Sequence, residues 1–154
     1  MDLGATICRP KAPLCDRCPV SRFCAALTTG APEAYPRKTA KADRPRRFGV
    51  AYVVTRGREV ALVRRPGKGL LGGMLALPTG DWGAKALEAP PVAADWRPMG
   101  EIEHVFTHFS LTLRVMRAEG GDFEGAIWTP AEEAGEGLPS VFLKALRQGM
   151  ERLL

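Results

Sequence analysis

Four thiols fall within seventeen residues of this chain: Cys8, Cys15, Cys18 and Cys24, separated by six, two and five residues. A thiolate is a soft, strong metal ligand, and four so close together are suited to one metal centre. Two disulfides satisfy the count, but a reducing compartment and the tight clustering argue against them. All-cysteine zinc sites usually use two paired knuckles, and only Cys15 and Cys18 form such a pair. An iron–sulfur cluster takes the same four ligands, yet the spacing is not that of a ferredoxin. On residue chemistry alone, zinc and iron–sulfur stay equally open.

Cations are threaded through the same loop at Arg9, Lys11, Arg17 and Arg22. Residues 1–47 carry ten Lys/Arg against four Asp/Glu, net +6, while residues 48–154 carry twelve against thirteen, net −1. Most charge runs are simply solvated surface. Cations on a loop stiffened by a metal are different, because part of their ordering cost is met before a ligand arrives. They suit phosphates, so nucleic acid is the expected partner.

The elements that must position these groups come next. At 154 residues and 45% apolar content, the chain fits one domain plus an appended module. Its apolar runs are too short to span a bilayer, and residues 1–27 lack a secretory pattern, so a cytoplasmic protein without a membrane partner is expected. "MDLGATI" reads as the end of a helix, with Gly4 near its stop and Asp2 inside it. Such a scrap has no core, as if the chain began partway through a larger domain. Residues 28–47, with three prolines and six basic residues, read as a linker. A compact domain is expected from about Phe48.

There, "FGVAYVVTR" and "EVALVRR" predict a hairpin turning at Arg56-Gly57-Arg58. Gly72-Gly73 predict a bulge or a close approach of two backbones. A short helix is expected around Ala84–Leu87. "GEIEHVFTH" and "FSLTLRVMRAE" predict one long extended stretch. Within it Phe109, Leu111, Leu113 and Val115 alternate with polar neighbours, so one sheet face is buried. Gly120-Gly121 should turn the chain into a strand in "FEGAIWTP". The end reads as a helix opened by Pro139, with Phe142, Leu146, Met150 and Leu153 as its apolar stripe.

Taken together, these segments resemble the C-terminal portion of MutY-type adenine DNA glycosylases. "MDLGATIC" with the cysteine spacing resembles the end of that family's helical domain and its cluster loop. "PEAYPRK" is similar to its interdomain linker, and "GKGLLGGMLALP" and "EHVFTHFSL" to its Nudix-like domain. The resemblance implies an α+β chain: a [4Fe-4S] loop in residues 1–27, the linker 28–47, and a mixed-sheet, 8-oxoguanine recognition domain with helices in 48–154. It implies that the four cysteines hold a structural [4Fe-4S] cluster and that Arg9, Lys11, Arg17 and Arg22 contact phosphates. Phe106, Thr107 and His108 match the loop that touches 8-oxoguanine; threonine stands where serine is commoner, keeping the hydroxyl. His104 is expected to be structural.

The implied role is in base-excision repair, on double-stranded DNA with adenine opposite 8-oxoguanine, as a monomer. The family flips out the adenine, since its glycosidic bond cannot be reached inside a duplex. The family's catalytic acid, its stabilising aspartate and its helix–hairpin–helix clamp have no match here, and Asp2 is not promoted into that vacancy. No catalytic residue is assigned, and the chain alone is expected to be inactive. Two rivals remain. A stand-alone Nudix nucleotide hydrolase needs a glutamate-rich helix after Gly80, where only Glu88 occurs and Pro90-Pro91 interrupt; Glu132 and Glu133 read as solvent-facing residues of a helical turn. A metal-loop adaptor would bind nucleic acid with no preference for a lesion.

Overall fold

Backbone turns, not a core, organise the first part of the chain. The computed structural model describes residues 2–39 and 43–150, and its backbone contacts divide the chain into Met1–Asp43 and Arg44–Leu154. In the first unit α1 (Leu3–Thr6) and α2 (Ala25–Thr28) are single turns, and neither buries a residue. Gly4 lies inside α1, not at its stop, and Asp2 is the residue before the helix. Between them run two three-residue 3-10 turns, Cys15–Arg17 and Ser21–Phe23. Pro32–Ala34, in the stretch read as linker, forms a third.

The second unit is built on a six-stranded mixed sheet, as expected. β1 (Arg46–Arg56) and β2 (Glu59–Arg64) form the predicted hairpin, with Arg56 opposite Glu59 and Gly57 at φ +58 in the turn. β3 (Leu75–Ala76) pairs with β2. β4 (Arg97–Val105) and β5 (Ser110–Glu119) are antiparallel, so the long extended stretch folds back on itself between Val105 and Ser110. β6 (Ile127–Pro130) joins β2. The order is β3-β2-β1-β5-β4, with β6 also on β2. β1 runs parallel to β5, from Arg46 opposite Ser110 to Thr55 opposite Glu119. That pairing draws Arg46 and Arg47 into the sheet, two residues before the expected start at Phe48.

α3 (Ser140–Met150) supplies the covering helix, with Pro139 accepting the Phe142 and Leu143 N–H groups at its start. Phe142 and Leu146 are buried and Met150 packs at the edge; Leu153 lies outside the described residues. The helix sits close to the sheet because Gly149 has no side chain: a Cβ there would lie 2.6 Å from Val53. Leu111, Leu113 and Val115 are fully buried beneath it, as the alternation predicted. Gly72 marks a close approach of two backbones, since a Cβ would stand 2.9 Å from the Gly67 carbonyl.

No helix forms at Ala84–Leu87. Gly83 instead exchanges both backbone hydrogen bonds with Phe48, at 2.7 and 3.1 Å. That bridge holds the segment's start extended, and Pro90-Pro91 close off the other side. Among the described residues no helix is long and apolar enough to cross a membrane.

Candidate functional site

The cysteines are linked by successive backbone turns. The Cys18 N–H donates to the Cys15 carbonyl (3.1 Å), the Ser21 N–H to Cys18 (3.2 Å) and the Cys24 N–H to Ser21 (3.2 Å). Ahead of them the Leu14 N–H donates to the Ile7 carbonyl at 2.9 Å, closing a loop that carries Cys8 near one end and leads into Cys15 at the other. Glu33 braces that loop by accepting the Ala12 N–H at 2.9 Å.

All four thiols are free; Cys8 is exposed and the others are half-buried. Burial pushes the Cys15 thiol up, and Cys24, Cys18 and Cys8 push it further. Among the described residues, no three His, Cys, Asp or Glu side chains are gathered tightly enough for a single metal ion. Arg9, Lys11, Arg17 and Arg22 are exposed, although Arg9 spends one N–H on the Ala12 carbonyl at 3.1 Å. Phe23, between Arg22 and Cys24, is 88% exposed.

In the second unit, Thr107 and His108 form the tip of the β4–β5 hairpin. The Phe106 N–H donates to the Phe109 carbonyl at 2.8 Å, pinching the strands together and leaving both tip residues exposed. Phe106 is not offered to solvent in the same way. It is half-buried and stacked on Phe109, with centroids 4.8 Å apart at 30°. Trp82 also stacks on Phe106 at 6.1 Å and 30°, and itself meets Phe142 at 5.9 Å. A guanidinium lies over each end of this row: Arg47 is 4.4 Å from the Phe109 centroid and Arg65 is 4.9 Å from Trp82. Trp82 is also pinned by donating to Thr79 Oγ1 at 3.0 Å. Sequence reading missed Trp82, Arg47 and Arg65, because a lone tryptophan in an irregular segment has no periodicity and Arg47 was grouped with the linker.

His104 packs edge-on against Phe106 at 4.6 Å, and its Nδ1 is buried without a hydrogen-bond partner among the described residues. Burial, then the nearby Lys144 ammonium, lowers its pKa from 6.5. The folded chain therefore resists a proton that the unfolded chain accepts near pH 6.5, and stability falls as pH drops below that value. Thermal unfolding from pH 7.5 to 5 should show this loss, and His104→Phe should flatten that part of the profile. An unchanged slope in the variant would remove His104 as its source.

The residues a nucleotide hydrolase would need are placed otherwise. Glu88 lies on an exposed loop and pairs with Arg114 at 3.2 Å. Glu132 and Glu133 are exposed in the turns after β6.

Residues 49–148 match the NUDIX domain family. The chain is similar to the adenine DNA glycosylase of Rattus norvegicus, 28% identical over 207 residues, covering 94% of this chain and 40% of that protein. It thus spans less than half the length of this relative. The C-terminal domain of mouse MUTYH, solved in complex with human PCNA, shares the fold with a TM-score of 0.53 at 22% identity, over 70% of this chain and 89% of that one. A MutT protein from Methanosarcina mazei shares it with a TM-score of 0.58 at 14% identity, over 73% and 99%. The resemblance read from the motifs, and the α+β Nudix-like fold it implied, are borne out.

Proposed function

The chain belongs to the NUDIX domain family, and we propose that it acts there as a reader of damaged duplex DNA in base-excision repair, not as a nucleotide hydrolase. The observation that carries this reading is the exposed Thr107–His108 tip held on a packed aromatic row. A hydroxyl donor and an imidazole at a stiff, protruding turn can hydrogen-bond the altered edge of 8-oxoguanine with little ordering cost on binding. Similarity to adenine DNA glycosylases supports a role in DNA repair, the motif resemblance implies adenine opposite 8-oxoguanine as the lesion class, and the chain would contribute recognition while cleavage would be done by other groups. Glu88, the one glutamate in residues 81–97, stands on an exposed loop where no helix forms, which counts against the hydrolytic reading.

The cysteine loop supports the second half of the proposal. Four thiolates on one zinc ion stand about 3.8 Å apart, given Zn–S bonds of about 2.3 Å. In a [4Fe-4S] cluster each thiolate binds its own iron, so the sulfurs stand further apart. The spacing of the four cysteines, which resembles the cluster loop of MutY-type glycosylases, supports the second arrangement. Cys8, Cys15, Cys18 and Cys24 would hold the cluster, whose contribution is structural. Arg9, Lys11, Arg17 and Arg22 would then meet phosphates from a stiffened loop.

Duplexes carrying 8-oxoguanine or guanine opposite adenine test the reading. The chain should prefer the lesion. Thr107→Val, which keeps shape and removes the hydroxyl, should cut that preference about fivefold, the worth of one hydrogen bond near 1 kcal/mol. Equal affinity for both duplexes, with a steep salt dependence, would identify an adaptor instead.

A further inference from the structure

The cations expected to meet DNA all lie in the cysteine loop, but the fold of the second unit exposes another. Because β1 runs parallel to β5, the beginning of β1 lies beside the beginning of β5, immediately after the tip. The Ser110 N–H donates to the Pro45 carbonyl at 3.1 Å, fixing that alignment. Arg47 is the residue this geometry delivers. Its guanidinium is 4.4 Å from the Phe109 centroid, it is exposed, and it makes no ion pair among the described residues. Its neighbour Arg46 differs, since it lies 4.0 Å from Glu103. Arg65, at the far end of the row, is half-buried and closes its own loop by donating Nε–H to the Leu70 carbonyl at 3.2 Å.

We propose that Arg47 is a phosphate-binding residue that seats the DNA backbone beside the Thr107–His108 tip, with the Phe109–Phe106–Trp82 row as its mount. This rests on the reading of the chain as a duplex binder. A guanidinium already stacked on a ring has lost part of its side-chain freedom, while its outer N–H groups remain open to a phosphate oxygen. A phosphodiester contact sets position but carries no base information. Arg47 therefore contributes equally to damaged and undamaged duplexes, leaving discrimination to the tip. The competing role is protective, with the arginine stem merely covering Phe109.

The whole chain, with Arg47→Ala and Arg47→Lys, separates the two when affinity for lesion and matched duplexes is measured across salt concentrations alongside thermal unfolding. Arg47→Ala should weaken both duplexes by about the same factor, reduce the slope of log K against log salt by about one, and leave the unfolding midpoint nearly unchanged. Arg47→Lys should restore the slope but only part of the affinity, because an ammonium lacks the planar stack. An Arg47→Ala slope equal to the parent's, or a loss of stability in place of the slope change, overturns the proposal. If the parent chain prefers the lesion and only the slope prediction fails, Arg47 alone is misassigned. If the parent binds no duplex, the functional reading falls with it.

Discussion

Phe142→Ala should lower the unfolding free energy of the chain by about 3–5 kcal/mol, the range for removing a fully enclosed aromatic side chain. Phe142 has no exposed surface and sits where α3 meets the sheet. The site cannot easily collapse, because Gly149 on the same helix already lies against Val53. Denaturant unfolding should show a lower midpoint with an unchanged slope, since the surface exposed on unfolding stays nearly the same. The cavity also removes the ring that backs Trp82 at 5.9 Å. A loosened Trp82 frees Phe106, and the tip should lose lesion preference even under conditions where the variant remains folded. Unchanged preference in the folded variant would mean that the aromatic row does not hold the tip.

Which of these features could be read from residues alone depends on how far each determinant extends along the chain. Leu111, Leu113 and Val115 declare their buried face locally, because alternation needs only neighbours. The β1–β2 hairpin is similarly local, with Gly57 in the turn. The parallel pairing of β1 with β5 joins residues more than sixty positions apart, and no local pattern encodes it. Arg47 was assigned to a linker for that reason. Its composition is that of the preceding basic run, while its position comes from Ser110 and Leu111. The segment at Ala84–Leu87 misled in the opposite direction, since its residue types suit a helix but Gly83 is held by Phe48. Phe106, Thr107 and His108 are unremarkable types, singled out only by likeness to a family. The hairpin geometry then separates their roles, with the ring turned to the core and the other two exposed.

Cys18→Ser should abolish iron binding and weaken duplex affinity about 10–100-fold in a single step. A serine oxygen is a harder and more basic ligand than a thiolate, and Cys18 lies centrally in the run of turns from Cys15 to Cys24. Neither α1, α2 nor the turns at Cys15–Arg17 and Ser21–Phe23 bury a residue, so no apolar core orders this loop. As in other small metal modules, binding of the proposed metal centre would supply the ordering free energy. Without it, these long cations must be immobilised at the moment of DNA binding, at roughly 0.5–1.5 kcal/mol each, so the ordering of about two of them accounts for the expected loss. Iron content, the visible absorbance of the anaerobically reconstituted chain, and duplex affinity at fixed salt should fall together. Affinity that survives loss of iron would mean that the loop is ordered by something other than its thiolates, and the link between cluster and DNA binding would be broken.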